Sequence, residues 1–290
     1  MRTAAPIGLP KLIVSTVASG NTGPIVGECD ITLMYSVIDI AGNNRLLREV
    51  LGNAAGAMFG MASTYQHRLS ESRTLSAQDN RPEETKIRVG ITMFGVTTPY
   101  VDHVRRHLEN SYSVEVYVFH ATGHGGKAME RLVEEGCLDA ILDITTTEIC
   151  DLIVGGTMRC ETSCLETTLK RGIPNIISVG ATDMVNFGPV DTVPRQFRDR
   201  NLFVHNPSVT LIRTSAAECR EVGNFILDKL WAGSAFADTD ADAALTDTLR
   251  SGLNDGKLRV VSDERDINDE GFALEIAGRL MALVAKHSST

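Results

Sequence analysis

The stretch at 118–130, VFHATGHGGKAME, limits the possible folds more than any other part of the chain. Residues 112–119 alternate toward β-branched and aromatic side chains, the mark of a strand. Ala128, Met129, Leu132 and Val133 then recur at helical spacing, which predicts a helix through residue 135. The bend between them carries Gly123, Gly125 and Gly126 and closes on Lys127. Glycines let a backbone come close, the first amides of a helix have no partner in the helix, and the helix dipole favours negative charge. Such a bend is a natural anion seat, and Lys127 adds a full positive charge. The same glycines also suit an ordinary turn, so the loop alone leaves both readings open. It is not a Walker A loop, because Ala128 stands where Ser or Thr follows the lysine.

The same strand–loop–helix rhythm runs along the chain. Strands are predicted at 11–17, 31–40, 87–94, 138–144, 173–179, 202–205 and 258–261. Helices are predicted at 45–65, 100–110, 161–171, 216–231, 240–249 and 271–285. Asn43 and Asn44 suit the start of the first helix, and Thr98 followed by Pro99 suits the start of the second. Alternation of this kind implies a Rossmann-like α/β fold, a mostly parallel sheet with helices on both faces. A polar stretch at 63–86 reads as a linker, so residues 1–62 form a first, truncated α/β subdomain and 87–290 a doubly wound second one. Gly52, Gly56 and Gly60 lie four apart in the first helix. They predict close contact with another helix, of this chain or of a second copy, since glycine otherwise weakens a helix by about 1 kcal/mol.

A net charge of −9 argues against a general nucleic-acid surface. The first ten residues are too poor in apolar side chains for a secretory signal, and no stretch is apolar enough to span a bilayer, so a cytoplasmic protein without membrane contact is expected. Six cysteines form no C-x-x-C pair, which predicts reduced, partly buried thiols. Cys160 and Cys164 fall one turn apart if that region is helical.

In a doubly wound sheet, ligands bind beyond the carboxyl ends of the strands. Thr97, His120, Lys127, Thr146, Glu148, Asp183, His205 and Asn206 all come after predicted strands. Gly123, Gly125, Gly126 and Lys127 would hold an anion, with Thr97, Thr146 and Arg213 assisting; Arg213 suits a bidentate clamp. Glu148 and Asp183 suit a general base, and His205 an acid. His120 and Asp143 suit a metal ion, although their spacing matches no strong ligand pattern. Each has a plainer role open to it, as a cap, a loop hydrogen bond or a surface ion pair. His103 and His107, four apart with no Glu after the first, read as a solvated helix face.

Eight stretches together resemble one family: KLIVSTVASG (11–20), DITLMYSVIDIAGNN (30–44), GITMFGVTTP (90–99), VFHATGHGGKAME (118–130), LDITTTE (142–148), GATDMVNFGP (180–189), VHNPSVTLIRT (204–214) and INDEGFA (267–273). This is the Tm-one-like ATP-binding family, that of a plant tobamovirus-resistance inhibitor's N-terminal region and its bacterial and fungal relatives. The resemblance implies two α/β subdomains, binding of ATP with magnesium, and self-association as a homo-oligomer, with a dimer the simplest case. It also implies a possible protein partner, since a plant member blocks a viral replication protein. Relatives carry a further α/β region before the first strand, and a strand-bearing segment where this chain has only residues 232–235. A shortened first subdomain and a second sheet short of one strand are therefore expected. An enzyme of hydrolase or lyase type, acting on a small phosphorylated or carboxylated metabolite, is the alternative.

Overall fold

Short β-branched runs set the strands, and the structure, a computed structural model, describes residues 5–78, 86–231, 261, 263 and 265–289. They group into two compact units, within 1–85 and 86–290. In the first unit β1 (Leu12–Ser15) pairs in parallel with β2 (Thr32–Tyr35), with a single helical turn, α1 (Gly23–Val26), between them in sequence. Helix α2 (Arg45–Gln78) comes next, its start fixed by Asn44 Oδ1, which accepts the Leu47 amide at 2.9 Å.

In the second unit, β3 (Ile87–Met93), α3 (Thr98–Ser111), β4 (Val114–His120), α4 (Gly125–Glu134), β5 (Ala140–Thr145), α5 (Thr147–Val154), α6 (Glu166–Arg171) and β6 (Asn175–Gly180) run in order. The four strands form a parallel sheet in the order β4-β3-β5-β6. The chain leaves β3 in one direction for β4 and returns past it to β5, so the winding reverses between β3 and β5. Alternation along the strands sends side chains to two faces. Val89, Ile91, Leu142 and Ile144 pack against Tyr100, Val104 and Leu108 of α3 and against Ala277 and Leu280 of a last helix, α8 (Glu270–His287). On the other face Ile141 meets Met129 and Val133 of α4. Gly90 permits that approach, because a Cβ there would lie 2.8 Å from Ile141 Cδ1.

A second, antiparallel sheet has the order β7-β9-β8, from β7 (Met184–Phe187), β8 (Leu202–Asn206) and β9 (Val209–Arg213). Val185, Phe187 and Ile212 pack on Ile149 and Cys150 of α5 and on Val222 and Ile226 of α7 (Ala216–Trp231). Helix α8 (Glu270–His287) ends the described chain, capped by Asp269, which accepts the Phe272 amide at 2.8 Å.

The α/β fold with a parallel sheet covered on both faces is as the sequence predicted. The departures are local. Helix α2 runs on through residue 78, so the polar stretch read as a linker from residue 63 begins inside it. The helix expected at 161–171 starts only at Glu166, and α5, β7 and β9 were not anticipated. Helix α3 begins one residue early, with Thr97 as cap and Thr98 bonded to Phe94 O at 3.2 Å. Among the described residues no atom lies within 4 Å of where a Cβ on Gly52, Gly56 or Gly60 would stand, so the close helix contact they predicted is not made there. His103 and His107 are half-buried, which corrects the reading of a solvated face. The helix expected at 240–249 and most of the strand at 258–261 lie outside the described residues.

Candidate functional site

Strand β5 runs into three threonines, 145–147, and the turn of its last residues decides which side chains face α4. The register with β6 shifts between Asp143 and Thr145, where one residue of β5 faces two of β6. The extra residue belongs to β6, so alternation along β5 is kept. Asp143 and Thr145, two apart on β5, therefore share the face under α4. Thr92 Oγ1 donates to Asp143 Oδ1 at 2.7 Å and accepts the Thr145 amide at 3.0 Å, tying β3 to β5 at the reversal of the winding.

Glu148 sits in the first turn of α5 and is buried. Its carboxyl reaches across to the glycine bend. Oε1 accepts the Gly123 amide at 2.6 Å, and the Gly126 amide bonds the same carboxyl. Gly123 has φ +89°, a conformation glycine adopts without strain, and a Cβ on Gly126 would collide with Glu148 Oε2. In this structure the Gly123 and Gly126 amides of the bend are taken by a carboxyl group of the chain itself. Lys127 pairs at the rim with Glu161 at 2.7 Å, Nζ to Oε1.

Beside this contact lies a small, partly open cleft, bounded by Gly126, Met129 and Glu130 of α4, Asp143, Thr145 and Thr146, Glu148 and Ile149, and Cys160, Cys164 and Leu165. Its acids are tuned by burial. Burial pushes Glu148 up to about 7, against the bonds from Gly123 and Gly126 and the charge of Lys127, with Asp143 adding to the rise. Burial likewise raises Glu130 to about 7 and Asp143 to about 6. Glu130 Oε1 is buried without a hydrogen-bond partner. Three carboxyls that carry or release protons near neutrality thus border one hollow.

The sequence-predicted residues divide. Gly123, Gly126, Lys127, Glu148, Thr146 and Asp143 come together at the end of β5. Thr146 Oγ1 donates to Ser178 O at 3.0 Å. Gly125 packs on the His120 backbone. Thr97 is fully buried, its hydroxyl bonded to the Phe94 backbone and 2.8 Å from Thr145 Oγ1, so it braces the β3 tip and is not offered to a ligand. His120 is exposed and stacks on Phe94, with ring centroids 5.8 Å apart. Among the described residues no three His, Cys, Asp or Glu side chains are arranged to hold a metal ion, so His120 and Asp143 gain no third ligand of those types.

Asp183 lies in the turn just before the antiparallel sheet, and His205, Asn206 and Arg213 lie in that sheet; all four are exposed, and none of them borders the cleft. Arg213 Nη1 donates to Asp183 O and to Thr214 Oγ1, each at 2.8 Å, which makes it a sheet tie instead of an anion clamp. Glu130 was missed. Its signal was its place one helical turn after Gly126, on the same face of α4. The cysteine pair meets through a turn, not a helix: Cys160 and Cys164 lie before α6, and their sulfurs are 3.0 Å apart.

This is a doubly wound α/β protein whose cleft, at the strand tips beside the winding reversal, is bordered by protonatable carboxyls and a glycine-rich helix start. Residues 1–67 match the N-terminal domain of the uncharacterised protein family UPF0261, and residues 86–234 and 230–284 match its C-terminal domain. The chain belongs to this family. It is 42% identical over 303 aligned positions to a UPF0261 protein of Clostridium tetani, covering 98% of this chain and 72% of that one. It is 41% identical to a UPF0261 protein of Mesorhizobium japonicum, with the same coverage. It is 39% identical to the ToMV resistance protein Tm-1 of Solanum lycopersicum, over 97% of this chain and 39% of the tomato protein. Among the described residues no helix is long and apolar enough to cross a membrane.

Proposed function

We propose that the chain binds a small anionic ligand at the start of α4, either a nucleotide such as ATP with magnesium or a smaller phosphorylated or carboxylated metabolite. One observation carries the reading: the amides of Gly123 and Gly126 converge on a single carboxyl, that of Glu148. A ligand oxygen enters by replacing that carboxyl, which burial has already poised to give up its charge near neutrality. Lys127, paired with the exposed Glu161, turns to the incoming charge. Glu130 and Glu148 offer oxygens to magnesium, and with no ready-made metal cluster among the described residues the ion arrives with the triphosphate.

The test is the shift in melting temperature with ATP and magnesium, and separately with inorganic phosphate. Glu148→Gln, which leaves a neutral side chain on the seat, is expected to keep or enlarge the wild-type shift. Lys127→Ala is expected to reduce it. Equal shifts in wild type and Lys127→Ala, or none in either, reject this role for the loop.

The second reading is an enzyme in which Glu148 or Glu130 passes a proton to or from a bound metabolite. It is favoured by two carboxyls raised to about 7 at one cleft, since a proton carrier works best near the ambient pH. Turnover of a phosphorylated substrate that survives Glu148→Gln unchanged sinks it for that residue. We also read the protein as cytoplasmic and self-associating, with the exposed glycine face of α2 as the contact. A light-scattering mass unchanged by Gly56→Leu counts against that face.

A further inference from the structure

We infer that Cys160 and Cys164 are a reversible dithiol–disulfide pair, oxidised by small-molecule disulfides of the glutathione class. Their sulfurs stand 3.0 Å apart as free thiols. A disulfide bond is about 2.05 Å long, so closure needs only about 1 Å of movement. Other thiols are engaged differently: Cys150 bonds Thr182 O, and Cys219 bonds Thr214 Oγ1.

The backbone brings the pair together. The Cys164 amide closes a turn on Glu161 O at 3.1 Å, and Leu165 just after it takes φ +70°, rare for a bulky side chain. That bend folds Cys164 back over Cys160. Cys160 is anchored from below, where both its amide and its thiol donate to Glu148 O, at 3.3 and 3.5 Å.

Access sets the chemistry. Cys160 is 4% exposed, whereas Cys164 is half-buried on the cleft wall. Cys164 loses its proton and attacks one sulfur of the oxidant. An S–S bond forms between Cys164 and one glutathionyl group, and the other glutathione leaves as thiolate. Cys160 then attacks the Cys164 sulfur and expels the second glutathione. Two cysteine thiols and one glutathione disulfide give one protein disulfide and two glutathione thiols, the two cysteine protons passing to the leaving groups. The hydrogen bond shared with Cys160 and burial both hold the Cys164 thiol protonated, so the first attack is slower than at an exposed thiol. Closure also removes the S–H that Cys160 donates to Glu148 O, and so reaches the turn that carries Glu148.

The full chain provides a direct assay. Trypsin releases residues 160–170 as one peptide holding both cysteines. After overnight treatment with glutathione disulfide, this peptide is expected two hydrogens lighter and refractory to alkylation, with both properties reversed by dithiothreitol. In Cys160→Ser, one glutathione is expected to remain on Cys164. In Cys164→Ser, the buried Cys160 is expected to stay unmodified. Recovery of the wild-type peptide with two free thiols, or with two glutathiones, overturns the proposal. If either variant fails to fold by circular dichroism, the wild-type peptide alone decides. None of these readouts uses the anion, so failure here leaves the ligand reading standing.

Discussion

The two sheets of the second unit treat the polar residues at their ends in opposite ways. Every residue of β5 is buried, including Asp143 and Thr145, whereas four of the five residues of β8 are exposed. Parallel strands are covered by helices on both faces, and an antiparallel sheet can leave one face in water. Hence carboxyls at the parallel tips lose hydration and rise toward neutrality, while Asp183, His205 and Arg213 stand exposed at the surface. A polar residue after a strand is a site candidate mainly when that strand is covered on both sides.

That contrast can be broken by substitution. The largest effect is expected in the parallel sheet, where Leu142→Ala opens a cavity among fully buried neighbours and should cost about 2–5 kcal/mol in urea unfolding. A loss below about 1 kcal/mol would mean that the β5 core is loosely packed.

Next comes the pH dependence. Below about 4.5, Glu148 is protonated in both folded and unfolded chains. Between about 4.5 and 7 the folded chain keeps the proton and the unfolded chain has lost it. Stability from this group is therefore full at the acid end and lost as pH rises through about 7. Glu130 acts in the same sense, and Asp143 through about 6. Glu148→Gln should flatten the fall in stability between pH 5 and 8 by on the order of 2 kcal/mol. A slope identical to wild type would show that Glu148 titrates as a solvated acid.

Arg213→Ala removes two hydrogen bonds on an exposed sheet and should cost about 0.5–1.5 kcal/mol, with ligand-induced melting shifts unchanged. A lost shift would return Arg213 to the binding site. The smallest effect is expected for Phe203→Ala on β8, where the ring is 63% exposed, with a change within about 0.5 kcal/mol. A large loss there would reveal a partner surface over the antiparallel sheet.

Much of this was legible in the chain itself. The runs at 87–94, 112–119, 138–144 and 173–179 read as strands because β-branched residues crowd them, and their parallel pairing stems from the helices between. The glycine bend between β4 and α4 was legible because glycine and helix geometry are local properties. Helix α5 was hidden by its shortness and its β-branched Thr147, Ile149 and Ile153, and β7 and β9 by their shortness, since four or five residues give little periodicity.

Sequence by itself determined the parallel α/β order and the amide-rich start of α4, because both rest on residues adjacent along the chain. Only the tertiary structure decided that Glu148 fills that seat, that Glu130 and Asp143 join it in a desolvated hollow, that Cys160 meets Cys164, and that Asp183, His205 and Arg213 stand elsewhere. Burial and charge depend on what packs over a residue, and here residues 123–130, 143–149 and 160–165 meet only once the chain has folded.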